Sequence, residues 1–128
     1  MPDIGHPMPK VLVIEDSASV RRLIEVCLRA LDVELSSAED GILGLAAARE
    51  SLPEVIVLDI GLPGMDGWEV LGHLRSGEET KNIKVLVLTA HAQPEIAEQA
   101  AQGGADEFMT KPFRPTELRE RIEKLLDA

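Results

Sequence analysis

Apolar residues in this chain fall into two patterns. Val11-Leu12-Val13-Ile14, Val55-Ile56-Val57-Leu58 and Val85-Leu86-Val87-Leu88 are unbroken apolar runs. Unalternated runs of this length predict strands covered on both faces, as in a parallel sheet. Val33-Glu34-Leu35-Ser36-Ser37 alternates, which suits a strand with one open side, and Asp106 to Met109 predicts a weaker one. The segments between follow helical spacing. Val20, Leu23, Ile24, Cys27, Leu28 and Leu31 make one stripe behind a cap at Asp16 or Ser17, with Arg21, Arg22, Glu25 and Arg29 facing water. A second helix runs from an Asp40 cap through Glu50, placing Ile42, Leu45, Ala46 and Arg49 on one face, and Pro53 ends it. Gly67 to Ser76, capped by Asp66, turns Val70, Leu71 and Leu74 inward, and a polar loop follows over residues 76–82. Pro94 starts a fourth helix through Gln102 that buries little beyond Ile96 and some alanines, and Gly103-Gly104 closes it. The last helix, from Thr116, buries Leu118, Ile122, Leu125 and Leu126 and carries two i,i+4 pairs, Glu117–Arg121 and Glu120–Lys124.

Five strand–helix units with short connections require right-handed crossovers. The strong strands belong in the middle of the sheet and the weak second and fifth at its edges. That gives an α/β, flavodoxin-like (βα)5 three-layer sandwich with a parallel sheet in the order 2-1-3-4-5. Residues 1–9, rich in proline, predict a loose arm before a single domain over 10–128. In open sheets of this kind ligands gather at the carboxyl ends of the strands. The order brings Glu15-Asp16, Asp59 and Thr89 together there, with Lys111 arriving from the fifth strand. Clustered carboxylates repel unless a cation is present, and a hard divalent ion suits all-oxygen ligands. Lys111 and Thr89 are surplus to a metal site, but are what a phosphoryl group requires, and an Asp can itself be the nucleophile.

Composition narrows the function. A formal charge of −10 argues against nucleic acid as a partner of this domain and against an anionic membrane surface. The only cysteine, Cys27, reads as a buried small hydrophobe in a reducing compartment. No secretory signal or apolar span is visible, so a cytoplasmic protein is expected, and a start at Met makes a stand-alone protein the simpler reading.

Glu15-Asp16, Asp59-Ile60-Gly61-Leu62-Pro63-Gly64-Met65-Asp66-Gly67, Thr89-Ala90 and Lys111-Pro112-Phe113 together resemble the receiver domain of bacterial two-component response regulators. The resemblance covers about residues 10–127. It implies that Asp59 is the phosphoacceptor and that Mg²⁺ is held by Asp16, Asp59 and the Gly61 carbonyl, with Glu15 acting through water. It further implies that Thr89 and Lys111 contact the phosphoryl group, that the Lys111–Pro112 bond is cis, and that Phe108 is an aromatic switch coupled to Thr89. A sensor histidine kinase or histidine phosphotransfer protein would supply the phosphoryl group. A downstream protein would read the fourth helix, fifth strand and fifth helix, so the domain is a switch rather than an enzyme. Glu15 stands where Asp is common and Leu62 where Met is common. Gly61 and His91 occupy positions that vary in the family and influence hydrolysis, so His91 is expected to affect dephosphorylation.

Singly, each motif has a plainer reading: Asp59 as a turn former, Glu15-Asp16 as a cap, Thr89 as a strand-end hydroxyl, Lys111 as a solvated loop residue, Phe108 as simple packing. Their convergence on one edge carries the argument. Two alternatives share parts of it. A flavin electron carrier has the same sheet order but needs a phosphate loop and ring-flanking aromatics, against two Phe, one Trp and no Tyr here. A Mg²⁺ phosphatase with an aspartyl intermediate wants a second Asp two residues after the nucleophile, where this chain has Gly61.

Overall fold

The computed structural model describes residues 8–127, so the arm expected over residues 1–9 lies, apart from Met8 and Pro9, outside the described residues. Strands and helices alternate: β1 (Lys10–Ile14), α1 (Ala18–Leu28), β2 (Glu34–Ala38), α2 (Gly41–Ser51), β3 (Val55–Asp59), α3 (Gly67–Ser76), β4 (Lys84–Thr89), α4 (Pro94–Gln102), β5 (Glu107–Thr110) and α5 (Pro115–Leu126). All strand pairs are parallel and the order is β2-β1-β3-β4-β5, as the strand strengths require. Each central strand divides its side chains between two cores. Leu12, Ile14, Ile56, Leu58, Val85 and Val87 pack with α2, α3 and Ala100 of α4 on one face. Val11, Val13, Val55, Val57, Leu86 and Leu88 pack with α1 and α5 on the other. A period of two through strands that are apolar at every position yields three layers.

Helix α2 departs from its pattern. Ile42 is 64% exposed, and Ala46 and Arg49 also face out; the inward residues are Gly41, Gly44, Leu45 and Ala48. A side chain at Gly44 would meet Ile14 at 2.6 Å, so α2 lies close enough to β1 that glycine and alanine form its packing face. Leu23 of α1 is likewise exposed, and Leu31 lies beyond the helix end. Ser17, not Asp16, caps α1, its Oγ accepting the Val20 N–H at 3.3 Å. Cys27 is buried as expected. On α5 the Glu117–Arg121 pair forms at 3.6 Å, but Lys124 reaches Glu107 at 3.5 Å rather than Glu120.

At the amino edge of the sheet, Arg75 joins segments far apart in sequence. Its Nη1 donates to the carbonyls of Lys81 and Ile83, its Nε to Gly104 O at 2.9 Å, and its Nη2 to Asp106 at 3.0 Å. Asp106 in turn accepts the Val85 N–H. Thr80, placed by sequence in a polar loop, is buried and donates its hydroxyl to Leu74 O at 2.7 Å. Helix α4 is held mainly at this end: only Ala100 is fully buried, Ile96 is half-buried, and Gln93 at its start provides no side-chain cap.

Candidate functional site

Register brings the chemistry together. Ile14 pairs with Leu58, Asp59 with Leu88 and Thr89 with Thr110, so β1, β3, β4 and β5 finish side by side. Their ends form a cavity of about 240 Å³ lined by Glu15, Asp16, Asp59, Thr89 and Lys111, with Gly61 and His91 at its rim. The expected site residues thus converge, apart from Pro112 and Phe108. The Lys111–Pro112 bond is cis. Phe108 lies half-buried on β5 against the core beneath α3 and α4, and its carbonyl accepts from Arg121 at 3.2 Å.

Asp59 is 5% exposed, and its Oδ1 accepts the Gly61 N–H at 3.2 Å. That contact fixes the carboxylate against the β3–α3 turn. Thr89 is buried, with its Oγ1 accepting the His91 N–H at 3.1 Å. Glu15 is the most enclosed acid. Its N–H donates to Ala38 O, its carbonyl accepts from Arg21 Nη1 at 2.8 Å, and its Oε2 accepts the Ser17 N–H at 3.1 Å. Oε1 faces Lys111 Nζ at 2.8 Å, an ion-pair contact outside hydrogen-bond angles, and Lys111 also lies 3.4 Å from Asp59 Oδ1. Burial pushes the Glu15 carboxyl above its ordinary value, against the pull of Lys111 and the Ser17 N–H, and the Asp59 charge adds to the rise. Burial alone would lower the Lys111 ammonium, but the two carboxylates outweigh it and hold it above its ordinary value.

Carboxylate oxygens of Glu15, Asp16 and Asp59 all lie within 4.8 Å of one another. Glu15 and Asp59 are buried while Asp16 is open to solvent. An all-oxygen donor set around one open side fits a hard divalent cation that keeps some of its water.

Arg21 and Ser17 are parts of this site that sequence reasoning assigned elsewhere, Arg21 to the solvent face of α1. Their ligands are one backbone carbonyl and one side-chain oxygen of Glu15, and no residue pattern marks such contacts. Gly67 is a third. A Cβ there would sit 2.5 Å from Ile60 Cα and 2.6 Å from Asp59 O, so only glycine lets α3 start directly behind the end of β3. Asp66 caps that helix through the Glu69 N–H at 3.0 Å, as expected. Gly67→Ala forces backbone to move and is expected to lower stability by about 1–3 kcal/mol. A urea midpoint equal to wild type would show that the turn has room to spare.

A family model described as the response regulator receiver domain matches residues 11–123, and the chain belongs to that family. RpaA of Synechocystis, a DNA-binding dual master transcriptional regulator, is 39% identical over 119 residues, covering 93% of this chain and 49% of RpaA. Chemotaxis protein CheY-3 of Vibrio cholerae is 33% identical over 119 residues, covering 92% of each. The chain therefore spans about half the length of RpaA and most of CheY-3. Among solved structures, CheY4 of Vibrio cholerae matches with a TM-score of 0.86 at 31% identity over 92% of this chain and 98% of that one. The receiver domain of the sensor histidine kinase PA1611 of Pseudomonas aeruginosa, solved with a magnesium ion coordinated in its active-site cleft, matches at 0.87 and 26% identity over 94% and 99%. The fold is the flavodoxin-like one expected, and the chain is a response regulator receiver domain of two-component signalling. These findings support neither the flavin carrier nor the phosphatase. Among the described residues, no helix is long and apolar enough to cross a membrane.

Proposed function

We propose that residues 10–128 act as one phosphorylation switch in which Asp59 is the acceptor, supplied by the phosphohistidine of a sensor histidine kinase or a histidine phosphotransfer protein. The observation that carries this is the meeting of Asp59 with two further acids, a lysine and a buried threonine hydroxyl in one small cavity. An Asp59 oxygen attacks phosphorus, an acyl phosphate bond forms, and the phosphorus–nitrogen bond to the donor imidazole breaks, its electrons returning to the ring. Lys111 and the Thr89 hydroxyl receive the equatorial oxygens of the transferred group. Asp16, Asp59 and the Gly61 carbonyl would hold Mg²⁺, with Glu15 acting through water. When bound, that ion offsets the charge shared between the carboxylates and the phosphoryl oxygens.

Phosphorylation then draws Thr89 toward the new group, lets Phe108 turn inward, and shifts the population of states at α4, β5 and α5 for a downstream protein to read. Such a donor places the domain in the cytoplasm. The domain is a switch that assists its own phosphorylation and dephosphorylation rather than an enzyme with a turned-over substrate. Incubation with acetyl phosphate and Mg²⁺ followed by intact mass measurement tests the reading; an unmodified wild-type protein would sink it. His91, exposed at the cavity rim, is proposed to govern access of hydrolytic water. His91→Ala is expected to change the lifetime of the phosphorylated protein severalfold, and an unaltered decay would remove His91 from the account.

A further inference from the structure

Helix α2 is apolar on both of its sides. The inner face is Gly41, Gly44, Leu45 and Ala48, of which only Leu45 is large. The outer face carries Ile42 and Leu43, 64% and 50% exposed, then Ala46, and closes on the exposed pair Arg49 and Glu50. Close approach of Gly44 to Ile14 is what leaves the bulky residues outside. A helix that is apolar all round is ordinarily covered all round, and the described residues leave Ile42 and Leu43 open to water.

Charge says what can cover them. A formal charge of −10 makes two copies of this chain repel over most of their surface, but on the outer face of α2 Arg49 and Glu50 cancel. Successive helical residues lie about 100° apart, so Ile42 and Arg49 fall to one side of this face and Leu43 and Glu50 to the other. A two-fold axis parallel to the helix sets unlike sides together. Arg49 of one copy then meets Glu50 of the second, and the same pair forms in reverse. Ile42 likewise meets Leu43, beside which a hollow of about 400 Å³ is lined by Ala38 and Ala47, and Ala46 is small enough to let the helices approach. Helix α1 also exposes Leu23 and Val26, but its outer charges include Arg22 and Arg29 and offer a second copy no such exchange.

We propose that the outer face of α2 is an interaction surface for a second copy of this chain, with the two α2 helices side by side and parallel about a two-fold axis. The contact is weak. Eleven residues make a helix about 16 Å long and about 10–12 Å across, far less surface than the roughly 800 Å² each partner gives to a stable interface. The proposal is independent of the phosphoacceptor reading.

Sedimentation velocity on the full chain, without phosphodonor or metal, tests this. Wild type is expected to pass from monomer toward dimer with a dissociation constant of about 0.1–1 mM. Ile42→Lys is expected to abolish the dimer. Arg49→Glu turns both cross-copy pairs into repulsions and is expected to weaken association about tenfold, whereas Arg49→Glu with Glu50→Arg together returns it to within about threefold of wild type. Should Ile42→Lys not fold, the charge exchange decides alone. A wild type that stays monomeric at low millimolar concentration overturns the proposal and leaves the face to a different partner. So does a dimer lost in Leu23→Lys but kept in Ile42→Lys, which would place the contact on α1, and so does a charge exchange that restores nothing.

Discussion

Asp59→Asn is expected to take up no phosphoryl group from acetyl phosphate and Mg²⁺, while folding as well as wild type. The amide oxygen of Asn can still accept the Gly61 N–H that now reaches Asp59 Oδ1 at 3.2 Å, so the turn keeps its anchor. Lys111 keeps its nearer partner, Glu15. The change removes one of three clustered carboxylates, which relieves repulsion, so the denaturant midpoint should stay at or above that of wild type. What disappears is the nucleophile, because a neutral amide cannot form the acyl phosphate. Intact mass measurement reads the outcome directly. An adduct of one phosphoryl group on the variant would mean that another acid, Asp16 being the exposed one, takes the group, and Asp59 would lose its role.

Leu58→Ala carries the largest expected cost to stability. Leu58 is fully buried and pairs with Ile14 on one side and Val87 on the other, one residue before Asp59. Its neighbours in the core come from the middle strands and from α2 and α3, elements that the sheet holds in place and that cannot collapse into the space left behind. Removal of such a side chain costs about 2–5 kcal/mol, a large part of the roughly 5–15 kcal/mol that holds an ordinary domain together. Urea unfolding should show a midpoint well below wild type with an unchanged slope. A loss under about 1 kcal/mol would contradict the rigid, two-sided burial described for β3.

The three central strands and the site at their ends were legible because both depend on residue type at fixed spacing. Val55 to Leu58 is apolar at every position, and Asp59 follows at the carboxyl end of the strand, where open sheets of this kind gather their ligands. Helix α2 was misread because close approach to Ile14 makes Gly44 an inward residue, and glycine contributes nothing to a hydrophobic pattern. Arg21, Arg75 and Thr80 were also out of reach. Each donates to backbone carbonyls, whose positions exist only once the chain has folded. Lys124 illustrates the same limit: a helical neighbour, Glu120, was the local choice, but Glu107 of β5 stands closer in three dimensions.

The bonds of Arg75 to Gly104 and Asp106 have a mechanical consequence for α4. They pin the chain just past the carboxyl end of that helix, while its amino end, which follows directly from the Thr89 to His91 segment, has neither a side-chain cap nor a fully buried residue. A rod pinned at one end and free at the other responds to a push by swinging, with the greatest travel farthest from the fulcrum. The displacement of Thr89 proposed above would therefore act where the lever is most easily moved, with the guanidinium of Arg75 at the fixed end.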